Sequence, residues 1–324
     1  MVDPSEPTAT NPVRIGISAC LLGHEVRYDG GHKRDRFLTD TFGRFVEWVP
    51  VCPEDEAGFG TPREAMRLVD DDGRLRLVTV KTGADLTNQM ERFARRRVEQ
   101  LGAEDLSGYV FKKDSPSCGI HRVKVYRPHA APSRSGQGLF AAALCARYPY
   151  LPVEEEGRLS DAGLRDNFVE RVFAYHRLRQ LFAGRWTVGS LVRFHTAHKL
   201  TLMAHSVVTY RELGRLVAAA KTTKRSQLQD DYTHGFMTAL AAVATPRKHT
   251  NVLQHMTGYL KTALDAGSKA ELLAAIEDYR RGLVPLIVPV TLLRHHVRHH
   301  RVAYLAGQTY LEPHPSELML RNHA

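Results

Sequence analysis

A chain of 324 residues with 43% hydrophobic content is long enough for about two domains with cores of their own, which excludes a small disulfide-stapled scaffold. Four cysteines, no cationic and then apolar leader, and no apolar run of spanning length point to a cytoplasmic chain without a membrane segment, in which cysteines are packed thiols, ligands or reactive groups. The formal net charge of +10 lies essentially beyond residue 160, together with most of the 17 histidines. A neutral half joined to a basic half suits an enzyme carrying a polyanion-binding module, and it suits a merely solvated basic surface equally well.

Residues 1–12 are polar and proline-containing and read as a disordered leader. From residue 13 to 160, short β-rich runs alternate with helical patterns. Strands are expected over 13–19 and 48–52, with a helix around 39–47 between them. A hairpin-like run follows at 74–80, then a helix from an Asp85/Thr87 cap to Leu101, and strands at 108–112 and 122–126. Pro128 to Gly138 reads as a loop, 139–147 as a helix and 151–154 as a last strand. This alternation predicts a layered, Rossmann-like α/β domain.

Beyond residue 160 the period changes to helical, and residues 161–324 read as an all-α domain. Helices are expected at 167–182, from Thr187/Gly189 through Met203, and at about 207–220, 225–244, 247–265, 268–281 and 285–304. Arg193, His195, His198 and Lys199 fall within one or two turns, and Arg247 and Lys248 lie near a helix end, where cations suit phosphate oxygens. For each of His195, His198 and His205 singly, helix packing is the stronger reading.

Three cysteines each lie just past an apolar strand-like run: Cys20 after Ile15-Gly16-Ile17-Ser18-Ala19, Cys52 after Val49-Pro50-Val51, and Cys118 after Tyr109-Val110-Phe111 and the turn Ser115-Pro116-Ser117. Loops at the carboxyl ends of parallel strands converge on one crevice, so three thiols distant in sequence are expected to meet. Three thiolates suit a metal or an iron-sulfur cluster with one coordination position open. Cys145, in an alanine-rich run, reads as a packed helix residue.

The strings Ile17-Ser18-Ala19-Cys20-Leu21-Leu22-Gly23, Val26-Arg27-Tyr28-Asp29-Gly30, Val51-Cys52-Pro53-Glu54 and Lys113-Asp114-Ser115-Pro116-Ser117-Cys118-Gly119 resemble the thiouracil desulfidase family. The stretch from Trp186 to Leu200, and Tyr304 to Leu311, resemble its companion helical domain of unknown function. Together they are similar to bacterial RNA 4-thiouridine desulfidases over nearly the whole chain from residue 13. The resemblance implies a 4Fe-4S cluster held by Cys20, Cys52 and Cys118 with one open iron, and a non-redox replacement of C=S by C=O, formally a hydrolase or lyase reaction. It places tRNA or another thiolated RNA, or a small thiolated pyrimidine, as substrate.

Glu54, two residues from Cys52, is the candidate general base and acid, and Ser115 the group that orients it or the water. Ser117 competes with Ser115, either as the catalytic serine or as a donor to cluster sulfur. Asp29, Lys113 and Ser117 are weaker candidates for substrate contact, and Arg193, His198, Lys199, Arg247 and Lys248 for RNA contact. The plain alternatives are a Glu54–Arg63 salt bridge and a turn cap at Ser115. Two other functions stay open: desulfuration of free thiouracil or thionucleosides, and a non-catalytic iron-sulfur or zinc-stabilised RNA-binding protein.

Overall fold

The computed structural model describes residues 12–323, so the leader expected over 1–12 lies outside the described residues except for Pro12. The chain divides into two compact units at Ser160/Asp161. The first unit is built on strands β1 (Arg14–Ser18), β2 (Glu47–Val51), β3 (Met66–Asp71) and β4 (Arg74–Thr79), then helix α1 (Thr87–Leu101). It continues with β5 (Leu106–Phe111), β6 (Val123–Arg127), β7 (Ala130–Gly136), α2 (Leu139–Arg147) and β8 (Val153–Glu155).

One sheet is parallel, in the order β2-β1-β5-β8. Every residue of β5 is buried, as an interior parallel strand requires. Gly16 lets β1 approach β5 closely, since a Cβ there would lie 2.2 Å from the Tyr109 ring. Because β2 lies on one side of β1 and β5 on the other, the chain reverses its direction of winding beside β1. That reversal opens a crevice at the carboxyl ends of these strands.

The second sheet, in the order β4-β3-β6-β7, is mixed. Its β3–β4 hairpin turns on Asp72 and Gly73, at φ 49° and 87°, the pair of left-handed residues that a two-residue hairpin favours. Strand β3 lies outside the expected run at 74–80, and β7 replaces the loop expected at Pro128 to Gly138. Neither sequence alternates strongly: β7 is AAPSRSG, a mostly exposed edge. The helix expected around 39–47 is instead a π-helical turn at Phe37–Thr41 and a 3-10 turn at Phe42–Arg44, and β2 already begins at Glu47.

The second unit is helical: α3 (Ala162–Phe182), α4 (Val188–His205), α5 (Val207–Ala218), α6 (Arg225–Ala241), α7 (Pro246–Tyr259), α8 (Ala266–Arg280), α9 (Ile287–His299) and the short α10 (Ala303–Ala306). Caps explain the starts. Thr187 and Ser190 form a reciprocal capping box, and Asp161, Ser206, Thr245 and Asp265 each accept a backbone N–H in the first turn. The run expected to be helical over 285–304 ends at His299, and Arg301 takes a left-handed φ of 52° before α10. No described helix is long and apolar enough to cross a membrane.

Candidate active site

Three strand ends carry the cysteines. After β1, a 3-10 turn at Ala19–Leu22 holds Cys20, whose carbonyl accepts the Lys33 N–H at 2.9 Å. After β2, the Cys52 thiol donates to the Val26 carbonyl at 3.6 Å, while its own N–H donates to Glu56 Oε1 at 2.8 Å. After β5, Ser115 Oγ accepts the N–H groups of Ser117 and Cys118 at 3.2 and 3.1 Å, closing the turn around Cys118.

This last turn is fastened from behind by α2. The N–H groups of Leu139, Phe140 and Ala141, unsatisfied within their own helix, donate to the carbonyls of Pro116 and Ser117. Gly138 permits that contact, because a Cβ there would stand 2.5 Å from Ser117 backbone atoms.

Cys20, Cys52 and Cys118 line one cavity of about 370 Å³ together with Glu54, Ser115 and Lys113. Arg27, Lys33, Arg63 and Lys112 are also on its walls. Cys145 is elsewhere, half-buried on α2. Burial, and then a charge on Cys52, pushes the Cys20 thiol up to about 11, against the pull of Lys112 and Arg27. Burial raises Cys52 as well, and raises Cys118 well above the thiol range although Ser18 hydrogen-bonds its sulfur.

Thiols so placed are poor free nucleophiles, but a bound metal centre ionises them by supplying the missing positive charge. Among the described residues no three His, Cys, Asp or Glu side chains form a group able to hold a metal ion. The thiols instead face shared space from three separate loops. A soft all-sulfur donor set around such a space fits an iron-sulfur cluster, and the cations on the walls offset the anionic charge that three thiolates bring.

Glu54 and Ser115 meet here. Ser115 Oγ donates to Glu54 Oε1 at 3.4 Å, while Arg63 holds Oε2 at 2.6 and 3.0 Å through Nη2 and Nε. The salt bridge and the turn cap are therefore both present, and both residues still line the cavity. Ser117 is fully buried, off the cavity wall, with its Oγ unpartnered. Asp29 is exposed, binds Arg27 and the Gly31 N–H, and is not on the wall.

Sequence reasoning passed over Lys33 and Lys112. Lys112 follows β5 directly, its N–H donates to Ser18 Oγ at 3.0 Å, and its ammonium pairs with Glu156. That strand-end position was the available signal.

In the helical unit the expected phosphate contacts separate. Arg193 and Arg247 are exposed and Lys199 is half-buried. His198 is a correction: it is 2% exposed, its Nδ1 is bonded to the Phe194 carbonyl at 2.8 Å and its ring is stacked on Phe194, so it offers nothing to a surface phosphate. Lys248 donates to the His205 carbonyl at 2.7 Å, capping the end of α4.

Residues 15–156 match the family described as 2-thiouracil desulfurase, and residues 199–315 match that described as protein of unknown function (DUF1722). Over 161 residues the chain is 37% identical to the uncharacterized protein YbgA of Escherichia coli (strain K12), spanning 48% of this chain and 94% of that protein. Over 114 residues it is 32% identical to the uncharacterized protein YbbK of Bacillus subtilis (strain 168), spanning 32% of this chain and 72% of that one. A solved structure described as the [4Fe-4S]-dependent thiouracil desulfidase TudS is 32% identical, over 46% of this chain and 93% of its own, with a TM-score of 0.38.

Proposed function

We propose that this chain, which belongs to the 2-thiouracil desulfurase family in its first half and joins to it a DUF1722 half, removes sulfur from thiolated pyrimidines. The substrate we assign is 4-thiouridine in tRNA, converted to uridine. One water is consumed, one sulfide is released and no net electrons move. The observation that carries the reading is the convergence of Cys20, Cys52 and Cys118 on one cavity that also holds the Ser115–Glu54 hydrogen bond.

Cys20, Cys52 and Cys118 would hold a 4Fe-4S cluster as thiolates. When bound, such a cluster supplies a soft Lewis-acid iron suited to a thiocarbonyl sulfur. Around it, Arg63 fixes one edge of Glu54 and leaves Oε1 toward Ser115. Glu54 takes the proton of the attacking water and returns it to the departing sulfur. Ser115 holds both the carboxylate and the shape of the Cys118 turn. Lys113, on the wall beside them, meets the pyrimidine or its phosphate.

The basic helical unit supports RNA as the substrate carrier, with Arg193, Lys199 and Arg247 as its phosphate contacts. The description of the first-half family favours a second reading, free thiouracil as substrate.

Anaerobically prepared full-length chain, assayed on 4-thiouridine tRNA, 4-thiouridine nucleoside and 2-thiouracil, separates the two. On our reading tRNA is desulfurated with the highest kcat/KM, and its binding weakens with salt at a log-log slope of roughly −0.7 to −0.9 per neutralised phosphate. A salt-independent preference for the free base would assign the activity to thiouracil.

A further inference from the structure

A second cavity, of about 390 Å³, opens beside the first in the same unit and shares Met66, Asp114 and Pro116 with it as a common wall. Asp114 has a left-handed φ of 58°, turning the Cys118 loop at that wall. The remaining polar lining comes from the second sheet: Arg67 on β3, Lys124 and Tyr126 on β6, and Arg134 on β7. Three cations thus face one carboxylate, Asp114, which Arg134 approaches at 3.7 Å.

The half of the chain with no net charge therefore gathers positive charge at this place. The Arg67 guanidinium lies 5.1 Å over the half-exposed Tyr126 ring, and Arg67 Nε is buried without a hydrogen-bond partner.

A ring beside a guanidinium plane is a platform on which a base stacks, and flanking Lys and Arg side chains are the usual partners of phosphate oxygens. The volume falls in the range of small-ligand sites. We infer that this cavity holds the nucleotide adjoining the thiolated one, its base against Tyr126 and Arg67 and the linking phosphate near Lys124 and Arg134. The α/β unit then distinguishes an oligonucleotide from a free base by itself. The inference rests on the desulfidase reading only for the identity of the first nucleotide.

The test uses the full-length chain with Lys124→Ala and Tyr126→Leu. Substrates are 4-thiouridine nucleoside, its monophosphate, and a trinucleotide with 4-thiouridine at its centre. A parallel equilibrium titration uses an unthiolated uridine trinucleotide, which needs no turnover. Each variant is expected to lose roughly tenfold in kcat/KM on the trinucleotide and roughly tenfold in affinity for its unthiolated counterpart, with the nucleoside rate unchanged.

Equal losses on nucleoside and trinucleotide overturn the inference, as does unchanged trinucleotide binding. So does a loss already complete with the monophosphate, which would give the cavity to the substrate's own phosphate. A chain inactive on every thiolated pyrimidine, but with trinucleotide binding weakened in both variants, would sink the desulfidase reading and leave the nucleotide cavity standing.

Discussion

Arg63 grips one edge of Glu54 with its side chain only 6% exposed, which makes the carboxylate a structural partner as well as a chemical group. Glu54→Ala strands a buried guanidinium, so it is expected to cost about 3 kcal/mol of stability whatever its effect on turnover. Glu54→Gln keeps an oxygen for Arg63 but cannot carry a proton. It should retain iron and a near wild-type melting temperature while kcat falls by a factor on the order of 10². Wild-type turnover in the Gln variant would remove Glu54 from proton transfer.

The thiols are separable in the same way. Anaerobically purified Cys20→Ala, Cys52→Ala and Cys118→Ala chains should lack iron and sulfide, whereas Cys145→Ala, on α2 and off the cavity wall, should contain both at the wild-type level. Iron retained in any of the first three would break the ligand set.

At the level of elements, the site depends on α2 being seated under the Cys118 turn. Gly138→Ala would push a methyl group to 2.5 Å from Ser117 backbone atoms, and backbone cannot swing aside as a flexible side chain can. The expected cost is about 1–3 kcal/mol in thermal or urea unfolding, together with lowered iron content, because the displaced turn carries Cys118. A fully loaded, equally stable Gly138→Ala chain would show that the turn does not need this seat.

Helix α1 was legible because its apolar spacing is strong: Met90, Phe93, Ala94, Val98 and Leu101 form one buried face. Strand β7 was illegible because an exposed edge need not alternate, although its pairing with β6 is real. Strand β3 left a signal that went unread, the Asp72-Gly73 turn immediately before β4. The cysteine site was legible as three strand ends, whereas the cationic wall was not, since nothing in sequence brings Arg27, Lys33 and Lys112 together until β1 and β5 pair.

Across the whole molecule, charge and histidine follow the division at residue 160, but with opposite meanings for single residues. Several histidines of the basic half are interior groups. His195 meets the Tyr232 hydroxyl at 3.1 Å, His249 meets that of Tyr310 at 2.9 Å, and His198 meets the Phe194 carbonyl. Composition could place them in that half and could not say whether they face solvent. His24, His32, His121 and His129 of the α/β unit are all exposed.

This difference gives the two units different responses to acid. Burial pushes His195 down to about 4, and His198 and His249 down to about 3, so they stay neutral in the fold, while in the unfolded chain they take a proton near pH 6.5. Below pH 6.5 the unfolded state therefore binds more protons than the native state. The stability these residues contribute is whole above that pH and is lost as pH falls toward 4, at about 1.4 kcal/mol per histidine per pH unit. Glu170 adds to the loss at still lower pH. Burial alone would raise its carboxyl, but the hydrogen bond and charge of His205 outweigh burial and hold it below its ordinary range. The helical circular-dichroism signal of the full-length chain should accordingly unfold at clearly lower urea at pH 5.5 than at pH 7.5. His198→Phe, which fills the space beside Phe194 and Phe236 with a ring that does not titrate, should reduce that shift by about a third, the share of one among His195, His198 and His249. A midpoint that stays constant or rises on acidification would mean that these histidines are protonated inside the fold, against the burial that surrounds them.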